Sequence, residues 1–264
     1  MEIKSVYEFA WLTTQQIVVT ADEKGEKIMG FGSGFFFHYR DHLFFITADH
    51  VSHPKDFDEG IRIGKDNFVW VFNNKTSSTE LSTMLTPIGG LYSFNLYDVN
   101  DELSFEIPDM IDISFAMLPN NFKYPFLSHE LCNEQVVVPA GKEKLVIKYE
   151  CVAELTESDY CLVEGCVMWD IIDGVRVFRC NAVHEDLTLA KIDNEGDYIL
   201  KYPGPIDEEK WKGLSGSPVF SDSCRLIGMI IKVYPNDSTV RVVPMKKITN
   251  LMDYAITYEQ SLNH

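Results

Sequence analysis

Basic residues are scarce in this chain. Its 264 residues include 23 Lys and Arg against 40 Asp and Glu, a formal net charge of −17 at pH 7. With no basic run anywhere, nothing supplies the phosphate neutralisation on which nucleic-acid binding depends, and an anionic membrane surface would repel the protein. Neither a nucleic-acid nor a membrane partner is expected. The surface reads as acidic and well solvated, and the same charge favours basic partner proteins, with salt dependence as the signature.

Long apolar runs are lacking as well. No stretch approaches the ~20 residues of a membrane-spanning helix. At the N-terminus Glu2, Lys4 and Glu8 interrupt an apolar stretch too short for the core of a signal peptide. A mature chain starting at or near Met1 and a cytoplasmic location are therefore expected. The patterns Asn74-Lys75-Thr76 and Asn236-Asp237-Ser238 fit glycosylation only in a secretory compartment, and are read as chance. Six cysteines are too few for a dense disulfide scaffold in a chain of this length, so reduced, partly buried thiols are expected. Cys151, Cys161, Cys166 and Cys180 lack the paired short loops of a zinc site. No metal and no cofactor is expected.

What the chain has is β pattern. Residues 15–20, 33–38, 43–47, 68–72, 144–155, 175–183 and 225–233 are short runs rich in Val, Ile and aromatics, separated by turn residues. With 16 Gly, 11 Pro and no obvious linker, this suits one large all-β domain or two small barrels sharing an interface. Residues 74–108, polar and containing Gly89-Gly90, read as a surface excursion. Residues 245–260 space Ile248, Leu251, Met252, Ala255 and Tyr258 as one face of a terminal α-helix.

The chemistry-bearing stretch is Gly213-Leu214-Ser215-Gly216-Ser217-Pro218. A serine hydroxyl becomes an effective nucleophile when a base takes its proton and backbone N–H groups stabilise the resulting oxyanion. Gly213 and Gly216 permit a tight turn around Ser215 that can aim the amides of Gly213 and Ser215 at one carbonyl oxygen. Glycine and serine also make ordinary turns, so partners decide the matter. One is His50, delivered by the apolar run Leu-Phe-Phe-Ile-Thr-Ala-Asp-His-Val from Leu43 to Val51. The other is Asp112, which opens Asp-Ile-Ser-Phe-Ala-Met-Leu-Pro; Asp109 is the fallback acid. A histidine after a strand is often a surface or capping residue, and an aspartate there a turn residue. The order His, Asp, Ser makes the three a candidate triad.

On these residues the chain resembles the trypsin or chymotrypsin-like serine protease superfamily, in its disulfide-free bacterial branch. The matching segments are Gly30-Phe31-Gly32-Ser33-Gly34-Phe35, Thr47-Ala48-Asp49-His50-Val51, Asp112-Ile113-Ser114-Phe115 and Gly213-Leu214-Ser215-Gly216-Ser217-Pro218-Val219, in register over roughly residues 15 to 250. Rival hydrolase folds fit poorly. An α/β-hydrolase places its histidine after the serine, where only His264 is available. A subtilisin-like order needs an aspartate before the histidine, and Asp41 sits in a polar hairpin turn.

The resemblance implies an all-β fold of two six-stranded antiparallel barrels with a C-terminal helix: residues 1–125 carrying His50 and Asp112, residues 126–264 carrying Ser215, and the cleft between them. It implies a serine endopeptidase acting on protein or peptide substrates through an acyl-enzyme. Glu209 would fall at the base of the primary pocket, with Ile231, Lys232 and Val233 on its wall; Glu209 favours basic and Lys232 acidic substrate residues. The family's zymogens carry an aspartate before the nucleophile, which pairs with a new N-terminus. Leu214 stands there instead, so no proteolytic maturation is expected and the site forms on folding or is completed by a regulatory protein partner. The alternative is a catalytically silent or partner-gated binding module on the same fold.

Overall fold

Aromatic and β-branched residues set the architecture. In the computed structural model, which describes residues 3–60, 67–73, 85–95, 110–123, 126–132, 134, 136–172 and 176–262, the chain begins with helix α1 (Val6–Thr13), whose N-cap Ser5 accepts the Glu8 N–H (3.2 Å). Seven strands follow: β1 (Thr14–Thr20), β2 (Ile28–Tyr39), β3 (His42–Thr47), β4 (Phe68–Phe72), β5 (Leu85–Gly89), β6 (Tyr92–Asn95) and β7 (Met110–Leu118). Two short helices, α2 (Asp49–Ser52) and α3 (Pro54–Glu59), lie between β3 and β4. A two-stranded ribbon of β8 (Leu131–Cys132) and β9 (Val137–Val138) precedes β10 (Ile147–Lys148). The first sheet curls in the order β5-β4-β1-β2-β3-β7-β6, and β10 joins it parallel to β2.

The second unit is a closed six-stranded barrel. Its strands are β11 (Cys161–Ile172), β12 (Arg176–Ile192), β13 (Tyr198–Lys201), β14 (Pro218–Ser221), β15 (Leu226–Tyr234) and β16 (Thr239–Pro244), paired in the order β11-β12-β13-β16-β15-β14. Helix α4 (Met245–Leu262) ends the chain. The fold is thus all-β, a double barrel of the chymotrypsin type with a C-terminal helix. The two expected barrels take the form of one closed barrel and one curled sheet of eight strands.

Phe35, Phe36, Phe37, Phe44, Phe45 and Phe115 are fully buried on the two faces of the first sheet, each burial contributing roughly 1.5–3 kcal/mol. Phe36 packs edge-on to Phe45 (5.3 Å) and stacks on Phe126 (5.2 Å). The two units share this apolar interior: Met229, Ile231, Met245, Ile248 and Met252 belong to the same cluster, and Phe9 of α1 meets Phe220 of β14 at 5.0 Å.

Two expectations are corrected. Residues 144–155 are not one strand, since only Ile147–Lys148 pairs before a 3₁₀ turn at Tyr149–Cys151 carries the chain over to the second barrel, where Val152 bridges Leu226. Lys144 instead turns its ammonium to the carbonyls of Trp11 and Thr14. Residues 85–95, within the expected excursion, include β5, which pairs with β4, and β6, whose Tyr92 and Phe94 pack on Phe115 (5.8 and 5.3 Å). Asp109, Asn74 and the remainder of that excursion lie outside the described residues. Helix α1 had no counterpart in the sequence reading. The terminal helix lies where its spacing predicts.

Cys132, Cys151, Cys161, Cys180 and Cys224 are free thiols, and burial pushes Cys161 up to about 12. No helix among the described residues is long and apolar enough to cross a membrane.

Glu164 of β11 is buried between the two units beside α1 and β1, and its Oε2 has no hydrogen-bond partner. Burial pushes its carboxyl up to about 7, against the opposing pull of Lys144 and the Thr14 hydroxyl. A folded-state value above the unfolded one means that the folded chain holds this proton more tightly. The stabilisation is complete below about pH 4.5, the unfolded value, and is lost as pH rises through about 7. Glu164→Gln is therefore expected to flatten the pH dependence of unfolding and to gain on the order of 3 kcal/mol relative to wild type between pH 5 and 8. Urea denaturation at both pH values measures this; parallel behaviour of the two proteins would contradict it.

Candidate active site

His50 owes its place to the end of β3. After Thr47 the extended Ala48 turns the chain into α2, and Asp49, fully buried, is engaged by His53 Nδ1 (2.7 Å). Thr47 pairs with Ser114 in the antiparallel β3–β7 register, so Asp112, two residues earlier on β7, projects past the end of β3 toward the new helix. There Asp112 Oδ1 accepts the backbone N–H of His50 (2.9 Å), while His50 Nδ1 lies 2.8 Å from Oδ2 and 3.0 Å from Oδ1. A carboxylate can only accept, so Nδ1 is the donor in this contact, which in the neutral ring leaves Nε2 with its lone pair. The Phe57 ring meets the imidazole at a steep angle with centroids 5.9 Å apart, and both side chains of the dyad remain partly open to solvent.

Ser215 sits in a turn closed by Leu214 N–H to Trp211 O (3.2 Å), Ser217 N–H to Leu214 O (2.8 Å) and Gly216 N–H to Ile230 O (2.9 Å). Gly213 and Gly216 take φ of 103° and 90°, the region only glycine enters freely. Leu214 is fully buried in the core of the second barrel, and Ser215 is half-buried. Among the described residues, neither the Gly213 nor the Ser215 amide donates a hydrogen bond within the protein. Two donors on either side of Leu214 are therefore unengaged among the described residues.

The turn is held against the first sheet by Ser33 of β2. Its N–H donates to Ser215 O (3.1 Å), its Oγ donates to Gly213 O (2.9 Å), and its own carbonyl accepts from Thr47 Oγ1 (2.8 Å). A Cβ at Gly32 would lie 2.4 Å from Val51 Cγ1 and 3.4 Å from Ser215 O, so the neighbour of His50 and the backbone of Ser215 meet on either side of this glycine. Among the described residues no hydrogen bond joins the His50 ring to Ser215; such contacts commonly tighten only when substrate fills a site.

Glu209 lies exposed in the 3₁₀ turn Glu208–Lys210. On β15, Ile231 is buried, Val233 half-buried, and Lys232 exposed with its ammonium over the Tyr234 ring (5.5 Å). Sequence reasoning missed the role of Ser33. The available signal was the alternation Gly30, Gly32, Gly34 around it, which strips one face of a strand of side chains and marks a close approach.

No family model matches the chain, and no curated protein matches its sequence. Among solved structures it is similar to the serine endoprotease from Yersinia pestis, at 11% sequence identity and a TM-score of 0.50, over 97% of this chain and 68% of that one. At this identity the likeness speaks for the fold.

The seam predicts a sharp contrast between two glycines. A Cβ on Gly216 would stand 2.0 Å from Ser33 O at a φ that already disfavours alanine, whereas one on Gly30 would meet nothing within 4 Å. Gly216→Ala is expected to destabilise by about 2 kcal/mol or more, and Gly30→Ala to stay within about 0.5 kcal/mol of wild type. Equal denaturation midpoints for the two variants would show that the seam is not closely packed.

Proposed function

We propose that this protein is a serine endopeptidase in which Ser215 attacks a peptide carbonyl, His50 is the general base and acid, and Asp112 orients and stabilises the imidazole. The observation that carries the reading is the Asp112–His50 pairing, 2.8 Å at Nδ1, in a chain whose Ser215 turn, docked near Val51 across Gly32, keeps its Gly213 and Ser215 amides free among the described residues. In this reading residues 1–125 supply the acid–base pair and residues 126–264 the nucleophile.

His50 Nε2 takes the Ser215 proton as Oγ adds to the carbonyl carbon, and the oxyanion forms between the two amides. Each such donor contributes about 3 kcal/mol in comparable chemistry. The imidazolium, stabilised by Asp112, returns the proton to the leaving amine as the C–N bond breaks. Water then adds to the acyl-enzyme, giving its proton to His50, and Ser215 leaves with that proton to release the carboxylic acid. No step calls on a metal or cofactor.

Peptide substrates suit the backbone next to Ser215. Pairing with β14 reaches only Met229 of β15, and from Lys232 to Tyr234 the paired strand is β16. The other edge of Ile231, Lys232 and Val233 is therefore proposed to take an extended peptide as an added strand, with Glu209 exposed upstream of the turn. The working compartment is proposed to be the cytoplasm, where thiols stay reduced. Control by a partner protein is compatible with the acidic surface.

The test is labelling with a fluorophosphonate probe followed by peptide mapping. Wild type is expected to be modified at Ser215. Ser215→Ala should lose labelling and cleavage with an unchanged denaturation midpoint, and His50→Ala should lose activity by about three orders of magnitude or more. Absence of wild-type labelling would favour a silent binding module, and full cleavage by either variant would overturn the triad.

A further inference from the structure

A buried histidine outside the proposed triad lies against the segment that leads into the Ser215 turn. His184, on β12 opposite Val163 of β11, is 9% exposed. Its ring stacks on Trp211 with centroids 3.8 Å apart and planes 15° from parallel. Tyr202 meets both rings edge-on, at 5.7 Å from His184 and 5.2 Å from Trp211. His184 Nε2 lies 3.1 Å from the carbonyl oxygen of Lys210. A carbonyl only accepts, so Nε2 carries the proton.

The grip continues into the turn. Trp211, held by the stack, accepts the Leu214 N–H through its own carbonyl (3.2 Å), and Leu214 accepts that of Ser217 (2.8 Å). Gly213 and Ser215, whose amides are free, alternate with these engaged positions. An apolar residue at 184 could fill the space against Trp211 but could not bind the Lys210 carbonyl. Burial lowers the pKa of His184, the Lys210 carbonyl opposing this and the Lys210 ammonium adding to it, so the ring is neutral at pH 7; that ammonium lies 3.7 Å from Asp207.

We propose that His184 is a positioning residue for oxyanion binding: stacked on Trp211 and hydrogen-bonded to Lys210 O, it fixes the segment from which Gly213 and Ser215 present their amides. The inference rests on the endopeptidase reading for its catalytic consequence, but not for its structural one.

Three variants separate the two contacts. His184→Phe keeps the stack and loses the donor, His184→Gln keeps a donor and loses the stack, and His184→Ala loses both. Amide hydrogen exchange of the peptide covering residues 208–217 in the intact protein reads positioning directly; kcat, KM and the fluorophosphonate labelling rate at Ser215 read its effect on chemistry. For His184→Ala, exchange in that peptide is expected to rise at least about 10-fold while the rest of the barrel stays protected. Its kcat should fall on the order of 10- to 100-fold with KM within about 2-fold, because the amides act on the transition state rather than on the bound substrate. The Phe and Gln variants should fall between, and they decide the matter if the Ala variant does not fold. Unchanged exchange in 208–217, exchange rising equally across the whole barrel, or a loss confined to KM would overturn the inference. A wild type that is never labelled would sink the endopeptidase reading, while the exchange result would still decide whether His184 positions the turn.

Discussion

The docking of Ser33 on the turn from Gly213 to Gly216 is the contact around which the rest of the molecule is arranged. Strand β2 pairs with β3 on one side, and β3 delivers His50, so whatever fixes β2 against the second barrel also fixes the histidine relative to Ser215. The polar part of this docking is small: the two hydrogen bonds from Ser33 and the one it accepts from Thr47 contribute about 1 kcal/mol each. Most of the free energy of the seam must then come from apolar burial, of the kind seen where Phe9 meets Phe220 and where Ile231 and Met229 enter the first core. Apolar burial is non-directional, whereas the Ser33 bonds are satisfied in only one register. The seam thus takes its strength from one source and its alignment from another.

Both ends of the described chain close the same seam. Helix α1 reaches into the second barrel, where Tyr7 hydrogen-bonds Glu185, a contact that pushes the phenol up to about 12, while Glu8 pairs with Lys142. Helix α4, which follows the last strand of the second barrel, returns to the first sheet: Asp253 pairs with Arg40 (3.1 Å) and Glu259 accepts from Tyr92. In a chain of net charge −17, acids placed against tyrosines and scarce cations on the opposite unit turn part of the acidic excess into cross-links rather than repulsion.

The sequence was legible where local pattern and final environment agree. Strand β15 and helix α4 lie within two residues of the spans that their periodicity predicts, since each buries one regular face or a continuous apolar run. It was illegible where burial is all-round or borrowed. Glu8 to Thr13 of α1 are buried on every side, wedged between units that only the folded chain creates, so no amphipathic stripe announces a helix. Strands β5 and β6 are short, and each is held by a neighbour distant in sequence, β5 by its pairing with β4 and β6 by the Phe115 ring. At the candidate site, residue type marks His50, Asp112 and Ser215, but nothing local brings them together, and that expectation came from resemblance. Ser33 and His184 are common residues on strands, and their importance lies in what faces them from the other side.

Leu214 shows how the turn keeps its shape without an ion pair. An acid at that position would need a buried cation, whereas a leucine needs only the apolar core that surrounds it. Much of the backbone of the turn is then engaged bond by bond. The N–H of Leu214 goes to Trp211, that of Gly216 to Ile230 and that of Ser217 to Leu214, while the carbonyls of Gly213 and Ser215 both go to Ser33. Backbone donors are rarely left without a partner, and the two amides that the described residues do not engage, those of Gly213 and Ser215, are the ones proposed to meet an external acceptor. Rotating the Gly213–Leu214 or Leu214–Ser215 peptide would strain the bonds that the turn makes to Trp211, Ile230 and Ser33. The shape of the turn thus depends on Trp211 and Ile230 within its own unit and on Ser33 across the seam, and a change that loosens any of the three loosens the candidate oxyanion site with it.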